Sequence, residues 1–87
     1  MAAPVPADVL RAIAHPLRLA LLVALEDREQ DAPALATSVG VPESVVAQHL
    51  AILRDAQLVT DGSTPELHRA IPGWTEIVAR LEGLQGQ

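Results

Sequence analysis

The sequence predicts a mainly α-helical domain with a small two-stranded β wing: a winged helix-turn-helix with the order helix, helix, helix, helix, strand, strand, helix. Three observations predict it. Residues 34–56, ALATSVGVPESVVAQHLAILRDA, read as two short helices separated at Gly40-Val41-Pro42, the compact arrangement that aims a second helix at the major groove of DNA. Residues 58–71 then place two short apolar-bearing runs on either side of Asp61-Gly62-Ser63-Thr64-Pro65-Glu66, a turn-forming stretch. Finally, the core must be aliphatic, because Phe and Tyr are absent and there is a single Trp, while hydrophobic residues make up 49% of the chain. Leu- and Ala-rich sequences of this kind favour helices over sheets.

Residues 1–6 carry two prolines and are expected to be disordered or extended. Val9, Leu10 and Ile13 fall at helical spacing and predict a short first helix over 8–14, interrupted at His15-Pro16. Pro16 suits the first turn of a second helix over 16–26, where a missing N–H costs nothing. That helix is apolar nearly all round, which predicts a central element packed on several sides, with Arg18 as its internal charge. Residues 26–30 read as a charged loop. Asp31 is placed to cap the third helix, Pro33 sits in its first turn and Gly40 supplies the left-handed stop. In the fourth helix Val46, Leu50 and Leu53 form the buried stripe, flanked by Val45, His49 and Ile52. Strands are expected at 58–60 and 67–71, and Pro72-Gly73 ends the hairpin. A last helix over 73–84 gathers Trp74, Ile77, Val78, Leu81 and Leu84 on one side. At 87 residues, 1–87 is one domain, and marginal on its own. The apolar stripes of the end helices, Val9, Leu10 and Ile13 with Trp74, Ile77, Val78 and Leu81, are therefore expected to meet across a two-fold axis in a homodimer.

The composition excludes several chemistries. Without Cys there are no disulfides, thiolate metal sites or cysteine nucleophiles. No apolar run is long enough for a bilayer, and no basic-then-apolar leader opens the sequence, so a cytoplasmic protein without membrane contact is expected. Glycine-rich phosphate loops and nucleophile elbows are missing, so no enzyme is read here. His15, His49 and His68 lack partners at i+3 or i+4, so neither a metal nor another cofactor is expected. The net charge of −5, with six Arg and no Lys, is unfavourable for a protein that must neutralise phosphates.

The run Ile13-Ala14-His15-Pro16-Leu17-Arg18-Leu19-Ala20-Leu21-Leu22, then Leu35-Ala36, Val39-Gly40-Val41, Gln48-His49-Leu50, Leu53-Arg54-Asp55-Ala56 and Leu58-Val59, is similar to the ArsR-type (arsenic-repressor-like) winged-helix regulators. The resemblance spans roughly residues 8–84. It implies a cytoplasmic homodimeric bacterial transcriptional regulator, a repressor by type, whose fourth helix enters the major groove while the wing reaches the flanking backbone or minor groove. Metal-sensing members carry cysteines on the third helix or Asp/His ligands on the last one. The corresponding segments here, APALATSV and GWTEIVARLEG, have neither, so metal sensing is not carried over. The wing of such proteins is usually basic; here it is DGSTPE.

Helical geometry puts Ser44, Ala47, Gln48 and Ala51 on the face opposite the buried stripe. Gln can bond adenine in a bidentate manner, Ser can pair with several bases and Ala can touch the thymine methyl, so this flank is the candidate reading surface. Glu43 reads as a carboxylate on the helix N-terminal dipole. Arg18 and Arg54 are the candidate phosphate contacts, with Arg69 and His49 behind them. Arg18 is expected more strongly in an ion pair with a nearby acid. His15 is expected to cap the second helix or pack at a corner, and His49 to be half-buried. Trp74 is a core or dimer anchor. Double-stranded DNA and a second copy of the chain are the expected partners. The alternative is an acidic interaction module on the same scaffold, binding a basic protein partner instead of DNA.

Overall fold

A computed structural model describes residues 7–85, and side-chain surroundings for residues 7–80. The elements are α1 (Ala7–Ile13), α2 (Pro16–Asp27), α3 (Ala32–Val39), α4 (Glu43–Asp55), β1 (Val59–Asp61), β2 (His68–Ala70) and α5 (Trp74–Gln85). This is the predicted order of helices and strands. The expectation for residues 1–6 lies outside the described residues.

Local chemistry sets each helix end. His15 adopts an extended backbone and its Nδ1 accepts the Leu17 N–H at 3.1 Å, capping α2 as expected. Asp31 does the same for α3, accepting from the Ala34 N–H at 2.9 Å. Gly40, at φ 73°, closes α3 in the left-handed conformation, where a Cβ would be strained. The chain then turns through Val41-Pro42 straight into α4, whose cap position is Pro42 with no side-chain bond. The dipole end of α4 instead carries Glu43.

The core is formed by Leu21, Leu22 and Leu25 of α2, Leu35 of α3, Val46, Leu50 and Leu53 of α4, and Leu58 and Val59 at the root of the wing. Each of these helices buries one stripe against the others, the non-directional gain that holds so small a domain together. α2 is the central element, packed on several sides against α1, α3, α4 and β2, while Val23, 58% exposed, and Ala20 lie on its open face.

β1 and β2 pair antiparallel, with Val59 opposite Ala70, Thr60 opposite Arg69 and Asp61 opposite His68. β1 lies one residue later than the predicted 58–60, and β2 is one residue shorter at each end than the predicted 67–71. Leu58 is withheld from β1 because its N–H closes α4 on the Leu53 carbonyl at 2.9 Å, while Gln57 turns the chain at φ 63°. The α2–α3 loop adds an unexpected partner: the Gln30 N–H and carbonyl exchange bonds with His68 at 3.2 and 2.8 Å. The wing is thus stitched to the body on its β2 side. Among the described residues no helix is long and apolar enough to cross a membrane.

Candidate nucleic-acid interface

The outward flank of α4 follows from the inward one. With Val46, Leu50 and Leu53 in the core, the 3.6-residue period leaves Ser44, Ala47, Gln48 and Ala51 exposed. These side chains are small or amide- and hydroxyl-bearing, and none is charged. A groove of about 240 Å³ runs between this flank and the wing, lined by Ala32, Ala47, Leu50, Ala51, Arg54 and His68.

The cations expected to meet phosphates are engaged within the subunit. Arg54 Nη1 donates to Asp61 at 2.6 Å and Nη2 to His68 Nδ1 at 2.9 Å, tying the end of α4 to both strands. Arg69, on the exposed face of β2, forms an ion pair with Glu29 of the α2–α3 loop. Glu29 also accepts from the Ser63 N–H at 3.0 Å and the Ser63 hydroxyl at 2.8 Å. The Ser63 N–H first, then its hydroxyl, then Arg69 hold the Glu29 carboxyl down at about 2. Sequence reasoning missed Glu29 and Gln30, because a charged loop gives no periodic signal that it lies beside a hairpin 34 positions on.

Arg18 departs from its expected ion pair. Its Nε donates to the Ala12 carbonyl at 2.6 Å, Nη2 to the Arg11 carbonyl at 3.0 Å, and Nη1 to His49 Nδ1 at 3.2 Å. The unsatisfied carbonyls at the end of α1 supply the acceptors that an acid was expected to provide. His49 is half-buried, as expected, and its ring lies 4.7 Å from that of His15, centroid to centroid. Burial first, then His15 and Arg18, push the His49 pKa below its usual value. His68 is lowered by burial and Arg54 against the opposing pull of Asp61 and Asp31.

With this geometry in place, the profile of the bacterial regulatory protein arsR family matches residues 15–61, from the α2 cap to the end of β1. The chain belongs to the arsR family. It is 38% identical over 53 residues to the HTH-type transcriptional repressor SmtB of Mycobacterium tuberculosis (strain CDC 1551 / Oshkosh), a match covering 61% of this chain and 39% of that protein. It is 45% identical over 60 residues to the HTH-type transcriptional regulator KmtR of Mycobacterium tuberculosis (strain ATCC 25618 / H37Rv), covering 66% and 46%. The matches thus span less than half the length of these two relatives. The crystal structure of NolR from Sinorhizobium fredii superposes with a TM-score of 0.76 at 31% identity, covering 92% of this chain and 83% of that one.

Within this arsR-family chain, His15 and His49 are the histidines that the fold brings together. Both Nδ1 atoms already accept N–H donors, from Leu17 and Arg18, and the Arg18 guanidinium opposes a further cation. Among the described residues no three His, Asp or Glu side chains gather into a possible ligand set.

Of the end-helix stripes, Val9, Ile13 and Trp74 are buried in the core of the single subunit. Leu10, Ile77 and Val78 remain partly exposed. The side chain of Leu81 lies outside the described residues.

Proposed function

We propose that the chain is a metal-independent DNA-binding transcriptional regulator, a repressor, acting in the cytoplasm as a homodimer. The observation that carries this reading is the exposed, uncharged flank Ser44, Ala47, Gln48 and Ala51 on α4, with a wing fixed beside it. Such a flank can enter the major groove without desolvating a charge, and its amide and hydroxyl suit base edges. Membership of the arsR family, and the similarity to SmtB, a transcriptional repressor, and KmtR, a transcriptional regulator, support it. The absence of Cys from the sequence, and the blocked Nδ1 atoms of His15 and His49, support metal independence. Among the described residues of the end helices, Leu10, Ile77 and Val78 are partly exposed and suit a dimer contact, and two-fold symmetry then requires half-sites about one helical turn apart.

The experiment is a mobility-shift screen of genomic fragments at low salt, followed by binding of a selected fragment with and without added Zn²⁺ or a chelator. Binding that is sequence-selective, salt-sensitive and indifferent to the metal is expected; no retained fragment at any salt concentration rejects DNA binding.

A second reading has an observation of its own. Arg54 and Arg69 are both paired with acids, and the net charge is −5, so an interaction module for a basic protein partner uses the same scaffold with its surface as it stands. Recovery of a basic protein, and of no DNA, in affinity capture favours this reading.

A further inference from the structure

The wing has an acidic anchor outside its own hairpin. Glu29 sits in the α2–α3 loop and reaches under the wing turn, where its Oε2 accepts both the backbone N–H and the hydroxyl of Ser63 at 3.0 and 2.8 Å. Its other oxygen, Oε1, accepts from Arg69 on β2. Gly62 leaves the space for this approach: a Cβ there would lie 2.8 Å from Glu29 Cδ and Oε2 and 3.0 Å from Leu67 Cβ. One carboxylate therefore holds the turn and the second strand at once, and does so from the body of the domain. The low pKa of Glu29 agrees with a carboxylate that stays charged in this position.

We propose that Glu29 is the positioning residue of the wing and sets its affinity for phosphate by withholding Arg69. The proposal rests on the DNA-binding reading above for its second half only. Holding the turn orients β2. Pairing with Arg69 cancels the cation that this strand would otherwise offer to the nucleic-acid backbone. A phosphate has to displace a carboxylate from Arg69 and gains correspondingly less than it would from a free guanidinium.

Two substitutions separate the halves. In Glu29→Gln the amide oxygen still accepts from Ser63, but the charge facing Arg69 is gone. In Glu29→Ala both contacts are lost. Asp27→Asn, at an exposed position, makes the same change in net charge and is the control. Amide hydrogen exchange of Ser63 and the side-chain Nε signal of Arg69 are read in the protein alone. Binding to a random-sequence duplex is read against salt concentration.

The expected result has four parts. Ser63 exchanges about tenfold faster in Glu29→Ala, the loss expected for bonds to a charged acceptor. Ser63 in Glu29→Gln stays within a factor of about three of the parent. The Arg69 signal becomes mobile in both variants. Glu29→Gln binds the duplex about tenfold more tightly near 50 mM salt, with a salt slope steeper by about 0.9, while Asp27→Asn keeps the parent slope.

Unchanged Ser63 exchange in Glu29→Ala overturns the positioning half, whatever DNA does. Ser63 exchange that responds, with slopes equal in Glu29→Gln and Asp27→Asn, overturns the withholding of Arg69. Ser63 exchange that responds in a protein that binds no duplex in any form upholds the positioning of the wing and rejects the DNA-binding reading.

Discussion

Arg18 Nη1 donates to Nδ1 of His49 across 3.2 Å, joining α2 to α4 over 31 positions of sequence. The same guanidinium donates to the carbonyls of Ala12 at 2.6 Å and Arg11 at 3.0 Å, so one planar fork fixes α1, α2 and α4 together. A guanidinium has no acceptor, so His49 Nδ1 must accept and its Nε2 carries the proton.

Arg18→Ala is expected to lower stability by about 2 kcal/mol, because half-buried acceptors lose a charged donor. Arg18→Lys recovers only part of that loss, since a compact ammonium cannot reach three acceptors in one plane. Urea unfolding with an unchanged m-value is the measurement. A midpoint for Arg18→Ala equal to that of the parent removes the tie between the three helices.

The His49 contact makes stability depend on pH. Burial, His15 and Arg18 hold its folded pKa below the unfolded value of 6.5. Between the two values the unfolded chain binds more protons, so stability rises with pH across that window. The contribution is complete above 6.5 and is lost as pH falls below it. His68 acts in the same sense. Replacing both by Gln, which accepts from Arg without titrating, flattens the urea midpoint between about pH 7 and 5. Parallel pH profiles for the double variant and the parent sink this assignment. Glu29 acts in a separate, more acidic window: its stabilisation is present above 4.5 and fades as pH falls from there toward about 2.

Gly62→Ala tests the space beneath the wing turn. The added methyl meets the mobile end of Glu29 and the fixed Cβ of Leu67, so the carboxylate must move away from Ser63. Overpacking of this kind costs about 1 kcal/mol or somewhat more. The cost is expected to shrink when Glu29 is already Ala, leaving the Leu67 contact alone. A double-mutant cycle by urea unfolding measures the coupling, and strict additivity contradicts it.

Gln57, at φ 63°, explains one part of what the sequence conceals. The N–H groups of Gln57 and Leu58 close α4 on Arg54 and Leu53 at 2.9 Å each, a terminus that ordinarily selects Gly. Gly40 announced the end of α3 because its residue type matches its conformation; Gln57 carries no such signature, so β1 was placed one residue early. The exposed flank of α4 was legible because three buried positions at helical spacing define their opposite face. The cap by His15 was legible from the proline beside it. The anchors Glu29, Gln30 and Arg18 were not, since each acts through partners that only the tertiary fold brings near. The meeting of His15 with His49 is of the same kind. Gln57→Gly is expected to raise stability by about 0.5 kcal/mol, the left-handed strain of about 1 kcal/mol less the entropy that Gly adds to the unfolded chain. A lowered melting temperature speaks against strain at this position.

Under the proposed DNA-binding function, base reading and phosphate binding part company at Gln48 and Arg54. Gln48 is exposed at the centre of the flank and pairs with no strand of the wing, so Gln48→Ala alters only what the flank offers to a base edge. Loss of one bidentate pair costs about 1–3 kcal/mol at a single base position, with the salt slope retained. Arg54 is shared between Asp61 and His68, and its removal also frees Asp61 to repel the backbone. Arg54→Ala is therefore expected to weaken binding to all sequences and to reduce the salt slope by less than the ~1 of an unpaired phosphate contact, leaving the ranking of sequences intact. Competition binding on a selected fragment and its point variants, at several salt concentrations, distinguishes the two signatures. If Gln48→Ala weakens every sequence equally while Arg54→Ala alters preference at one position, the reading face lies at the wing end of α4, not at its centre.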